Sequence, residues 1–326
     1  MSSITPTGQL LLASAVFAAM VTTGMAIETD DFRRLLRRPR AVLVGLGSQL
    51  VLLPTAGFLL AWLLPISGTA DLHGTEVAVG PLFAVGIVLL ASTPGGSGSN
   101  FLIHAVGGDR ALSVTLTALS STLAFVTLPL YMTLAFRLFM NQPGQTVLLP
   151  VSQMILSVAL LTVVPVSIGV LIRRRNRELA DRLEVPSKIL AALVIGAIII
   201  GVIIGSWDVV VAYWLRLGPI MLALNLLALA LGFAAAKLTG LSHREGVAIS
   251  VETGVQNAPL AITLALTVLA QPAFSTPAGL FGISMLITAA ILAVVTRRRA
   301  RAESDTTIVI TEANPAPVSP PVAPAD

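Results

Sequence analysis

The residues best equipped for chemistry lie between Val251 and Pro259, in the run Val-Glu-Thr-Gly-Val-Gln-Asn-Ala-Pro. Glu252 is the only acid in the interior of any long apolar run, and Gln256 and Asn257 set two side-chain amides beside it. The surrounding stretch, 246–269, is long enough for a membrane helix. An ionised carboxylate at bilayer depth costs about 3 kcal/mol or more, so an acid there is by default a candidate for holding an ion or a substrate. Gly254 and Pro259 weaken the helix around it, and an unwound turn would free backbone carbonyls as further oxygen ligands.

A second stretch has the same character. Ser92-Thr93-Pro94-Gly95-Gly96-Ser97-Gly98-Ser99-Asn100 lies inside an apolar passage. Proline removes a backbone donor and three glycines loosen the chain, so a regular helix is not expected here. Half-helix N-termini would point partial positive charge inward and suit an anion, while hydroxyls, carbonyls and a carboxylate suit Na⁺. Ser99 and Asn100 are in this break, and Ser113 and Thr117, at i and i+4, share a helix face that can turn toward it. With Glu252 these are five residues with side-chain oxygen donors, one of them charged. Two plainer roles stay open: Ser113 and Thr117 bonding their own helix carbonyls, and Gln49 serving only as an interhelical hydrogen bond.

The elements that must position these groups follow from composition. The 326 residues are 55% hydrophobic and 11% charged, with a mean hydropathy of +0.91. Soluble domains carry about 25% charged residues, so the chain reads as an all-α polytopic membrane protein. Nine spans are expected at 9–27, 40–64, 78–106, 111–136, 147–172, 188–206, 209–236, 244–271 and 274–296. The first lacks a basic n-region and a cleavage site and reads as a retained helix. Without cysteine there is no disulfide, thiolate metal site or cysteine nucleophile.

With nine spans, 18 of the 20 Lys and Arg fall on one side, and only Arg137 and Arg216 fall opposite. The positive-inside rule then puts the N-terminus outside and the C-terminus in the cytoplasm of a plasma (inner) membrane protein. Pairing 9–136 with 188–296 around a connector, 147–172, brings the two breaks into register as an inverted repeat. Residues 1–301 form one transmembrane unit, and 302–326, rich in Pro, Ala, Thr and Val, is expected to be a disordered cytoplasmic tail. Trp207, Tyr213 and Trp214 read as interfacial anchors and Asn225 as an interhelical hydrogen bond.

The string Pro94 to Asn100 followed by Ala111-Leu112-Ser113, together with Glu252 to Asn257, resembles the bile acid:sodium symporter family. The basic loop from Asp31 to Pro39, then Gln49 and Pro54, fits as well. The resemblance covers the nine spans and omits the tail. It implies two inverted repeats forming a panel and a core domain, with two broken helices crossing in the core. Many bacterial members have ten spans, and this chain resembles a nine-span form without the first. It implies one Na⁺ at Ser99, Asn100, Ser113, Thr117 and Glu252. A second would lie at Gln49, Glu252 and Gln256 with the carbonyls of Thr253 and Val255. Ser97 and Asn257 are implied as substrate positions.

The expected function is therefore sodium-coupled symport of an organic anion, with two Na⁺ as coupling ions and the lipid bilayer as surroundings. A small carboxylate is favoured over a bile acid by the short loops. No nucleic acid and no obligate protein partner is indicated. The alternative is a proton-coupled or uncoupled efflux carrier of a related inverted-repeat fold, in which Glu252 carries a proton. An enzyme is disfavoured: no second acid, histidine pair or nucleophile accompanies Glu252, and His73, His104 and His243 are scattered. One pair of breaks does not suggest the open polar ring of a channel.

Overall fold

The computed structural model describes residues 6–27, 39–63, 69–72, 75–140, 149–183 and 207–313, with isolated positions between 184 and 206. The sixth expected span, 188–206, and most of the basic loop from Asp31 to Pro39 lie outside the described residues. The described chain is almost wholly helical. Among the described residues, six helices are long and apolar enough to cross a membrane: α1 (Pro6–Met25), α2 (Pro39–Leu63), α5 (Arg110–Met140), α6 (Val151–Arg175), α7 (Trp207–Leu238) and α10 (Ser275–Ala313), the last by its apolar N-terminal part. The third and eighth expected spans are each two short helices, α3 (Val79–Ala91) with α4 (Ser97–Val106), and α8 (His243–Gly254) with α9 (Ala258–Thr267).

Local chemistry sets the helix ends. The Asp109 side chain accepts the backbone N–H of Leu112 at 3.1 Å and starts α5. Ser242 and Glu245 form a reciprocal capping box at the start of α8. α4 closes on Gly107, whose φ of +74° only glycine adopts without strain.

Two details depart from expectation. A two-stranded antiparallel hairpin, β1 (Thr69–Leu72) and β2 (Thr75–Ala78), occupies what reads as loop ahead of α3. Thr69 pairs with Ala78 and Leu72 with Thr75. At the other end, α10 continues to Ala313 and so takes in the first part of the tail expected to be disordered. The first proline beyond it is Pro315, which cannot continue a helix.

α1 and α6 lie together with Gly24 and Gly169 in direct backbone contact; a Cβ on either would run into the partner's backbone. Residues of α1, α3, α5, α6, α7, α9 and α10 share one continuous apolar core. α7 packs against α8 at Gly232, where a Cβ would stand 2.8 Å from the Ile249 carbonyl. α3 is buried along nearly its whole length, whereas α2, α5, α6 and α7 expose Trp62, Leu130, Leu171 and Leu215 on outward faces, as suits a lipid-facing surface.

Candidate ion and substrate site

The two breaks meet. Gly95 and Gln256 form an isolated antiparallel bridge, Gly96 donates its N–H to the Val255 carbonyl at 2.9 Å, and Asn257 donates to the Pro94 carbonyl at 3.0 Å. Backbone groups freed in the protein interior must find partners, and here each break supplies them to the other. The arrangement brings together the N-termini of α4 and α9 and the C-terminal ends of α3 and α8. Partial positive and partial negative helix ends therefore face one small region.

Glu252 stands at this junction, 1% exposed. Ser113 donates its hydroxyl to one carboxylate oxygen at 2.8 Å and Thr117 to the other. The Ser99 hydroxyl lies beside the same carboxylate and bonds the Gly96 carbonyl at 2.8 Å. Thr117 also reaches its own helix, its hydroxyl lying 3.1 Å from the Ser113 carbonyl. Gly95 leaves the space the carboxylate fills: a Cβ there would collide with Glu252 and come within 2.9 Å of the Gln49 amide nitrogen.

Four successive carbonyls at the end of α8 are each engaged. Gln49 donates to that of Glu252 at 3.3 Å, Gln256 to that of Thr253 at 2.7 Å, Asn225 to that of Gly254 at 2.8 Å, and Gly96 to that of Val255. A helix end leaves its last carbonyls without donors; this one gathers three side-chain amides and one backbone N–H. The amide oxygens of Gln49 and Gln256 are buried and, among the described residues, have no hydrogen-bond partner. Two buried amide oxygens on residues that bond the end of α8, the helix that carries Glu252, fit a cation as their missing partner. The donors at the junction are one carboxylate with neutral oxygens, a set suited to a hard cation.

Most of the sequence candidates therefore converge. Gln49, Ser99, Ser113, Thr117, Glu252, Thr253, Val255 and Gln256 share the junction. Ser97 and Asn100 open α4, and only their backbone is described. Asn257 caps α9, its side-chain oxygen accepting the Leu260 N–H at 3.1 Å, while its amide nitrogen reaches Met20 Sδ on α1 at 3.7 Å. Sequence reasoning placed Asn225 only as an interhelical bond; besides the Gly254 carbonyl it accepts the Thr288 hydroxyl at 2.6 Å, joining α7, α8 and α10. Its partner in the break is a backbone group, which no residue type announces.

Broken helices meeting around a buried acid, in a bundle with a lipid-facing exterior, define a membrane carrier. A family model described as the sodium bile acid symporter family matches residues 13–213, more than half of the chain. The chain belongs to that family. It is 28% identical over 276 residues to an uncharacterized sodium-dependent transporter of Bacillus subtilis, covering 84% of this chain and 79% of that protein. It is 27% identical over 286 residues to a probable chloroplastic sodium/metabolite cotransporter of rice, 88% of this chain and 64% of the relative. With the rabbit ileal sodium/bile acid cotransporter it shares 29% identity over 258 residues, 78% of this chain and 67% of the relative. The family match ends before α8, so the geometry of the second break stands on its own contacts.

Proposed function

We propose that the protein is a secondary active transporter that moves an organic anion together with Na⁺ by alternating access. The observation that carries this reading is the pair of buried amide oxygens of Gln49 and Gln256, without a partner among the described residues, on side chains that bond the end of α8, whose Glu252 carboxylate accepts from Ser113 and Thr117. One Na⁺ is held by Ser99, Asn100, Ser113, Thr117 and Glu252. The second is held by Gln49, Glu252 and Gln256 with the carbonyls of Thr253 and Val255. Two cations on one carboxylate leave a local charge of about +1, which together with the N-termini of α4 and α9 favours an anion. That anion binds by Ser97 and Asn257, on the side where α1 brings Met20.

The bundle works as an inverted repeat of nine spans, N-terminus outside and C-terminus in the cytoplasm of the plasma membrane. The α1–α6 pair is part of the panel against which the rest rocks. The names of the rice and rabbit relatives mention metabolite and bile acid cotransport; for this chain the compact loops favour a small carboxylate. Uptake of a panel of carboxylates into proteoliposomes is the test. Uptake is expected to depend on an inward Na⁺ gradient, to be lost when K⁺ replaces Na⁺ at constant pH, and to be lost in Glu252→Ala. Uptake unchanged in K⁺ would sink the sodium reading and leave Glu252 as a proton site.

A further inference from the structure

The Gln49 side chain reaches the junction from an irregular part of its helix. α2 widens to one turn of π-helix over Ser48–Leu52, with the Leu53 N–H bonding the Ser48 carbonyl five residues back. The cause lies two residues downstream of that turn. Pro54 has no N–H, and a helical proline ring crowds the carbonyl four residues earlier, which is that of Leu50. Widening the turn relieves the crowding but leaves the Leu50 carbonyl without its usual helical donor. Tyr131 of α5 supplies one: its hydroxyl donates to the Leu50 carbonyl at 2.5 Å. The ring is held in place against Phe58, with centroids 6.2 Å apart. Gln49, inside the widened turn, is 1% exposed and directs its amide to the end of α8. Wide turns of this kind recur where a helix must aim a functional side chain.

We propose that Tyr131 is a positioning residue for the second cation ligand: its hydroxyl, together with Pro54, holds the widened turn that aims Gln49 at Glu252. This rests on the sodium reading above. Tyr131 touches neither ion nor substrate, so it acts only through the backbone of α2.

The test measures ²²Na⁺ binding to the full-length protein purified in lipid nanodiscs. Tyr131→Phe keeps the ring and removes only the hydroxyl. It is expected to raise the half-saturating Na⁺ concentration about three- to tenfold, the weight of one hydrogen bond, with the number of sites unchanged at saturation. Pro54→Ala returns an N–H to the Leu50 carbonyl and lets the turn tighten; it keeps the hydroxyl and the fold, yet is expected to weaken Na⁺ comparably. The double variant separates aiming from simple carbonyl satisfaction: it should unfold no more readily than Tyr131→Phe, with Na⁺ binding still weak. Wild-type Na⁺ affinity in Tyr131→Phe, in Pro54→Ala or in the double variant overturns the proposal and leaves the sodium reading standing. Absence of ²²Na⁺ binding in the unaltered protein overturns both.

Discussion

At the scale of single residues, the site depends on one side chain being present and one being absent. Glu252 needs the hydroxyls of Ser113 and Thr117, and it needs Gly95 to have no Cβ. Gly95→Ala places a methyl group on the carboxylate, and the backbone bridge to Gln256 prevents retreat. Sodium-driven uptake is expected to fall at least about tenfold, as a misplaced charged hydrogen-bonded group worth about 1.5–3 kcal/mol requires. Gly98→Ala is the control: the nearest atom to its Cβ is Val255 Cγ1 at 3.9 Å, and alanine favours the helix there. Near-equal uptake by the two variants would show that the carboxylate is not packed against Gly95. The chemical types at this scale were legible in the sequence, because a polar side chain inside an apolar run is conspicuous. Tyr131 was not. Pro54 marks the Leu50 carbonyl as needing a donor, but nothing local says which helix supplies it.

At the scale of elements, the two breaks could be located from proline, glycine and hydroxyl content alone, and α3–α4 and α8–α9 fall where that composition put them. What joins the halves was hidden, because backbone carbonyls and N–H groups carry no sequence signature. Asn225 shows the difference. Its amide is the donor for the Gly254 carbonyl, while its own oxygen receives Thr288. Asn225→Leu strips the carbonyl of that partner and is expected to cost about 1–2 kcal/mol, seen as a lower unfolding temperature in detergent, and to weaken Na⁺ binding two residues away at Glu252. Thr288→Val should cost much less. Threonine's hydroxyl is also within reach of the Ser284 and Met285 carbonyls, so its bond to Asn225 is one of several, and deleting it leaves the break capped. Equal costs for the two variants would mean that the α7–α10 link, and not the carbonyl cap, is what Asn225 provides. The hairpin before α3 and the helical extension to Ala313 show a further limit: hydropathy, which organises the membrane spans, is silent on both.

At the scale of the whole molecule, the proposed function has cargo chosen at the surface between α1 and the broken helices. Met20 of α1 occupies that surface against Asn257 through a long N–H···S contact at 3.7 Å. Such a contact is weak, so an anion can displace it at little cost. Met20→Leu, similar in volume without the sulfur, is expected to change the half-saturating substrate concentration while leaving the Na⁺ dependence unaltered; a shift in Na⁺ dependence instead would join Met20 to the ion site.

Charge movement is the remaining property of the whole assembly, and it follows from the number of ions the proposal gives Glu252. If two Na⁺ enter with one monoanion, each cycle carries one net positive charge inward. A membrane potential acts on that charge with about 2.3 kcal/mol per 100 mV, enough to raise the accumulation of substrate at equilibrium about 50-fold for an inside-negative potential of that size. Clamping proteoliposomes at such a potential with a K⁺ diffusion gradient and valinomycin, at fixed Na⁺, is expected to increase accumulation and to produce an inward current on adding substrate. A single Na⁺ per monoanion would be electroneutral, and potential would then leave accumulation unchanged. That result would remove one of the two ions from the site and assign Gln49 and Gln256 to holding the end of α8, with the ion kept by Ser99, Asn100, Ser113, Thr117 and Glu252. The same measurement in Gln256→Ala gives the complementary outcome: if that residue serves the second ion, its loss should lower the dependence of uptake on Na⁺ concentration from second order toward first.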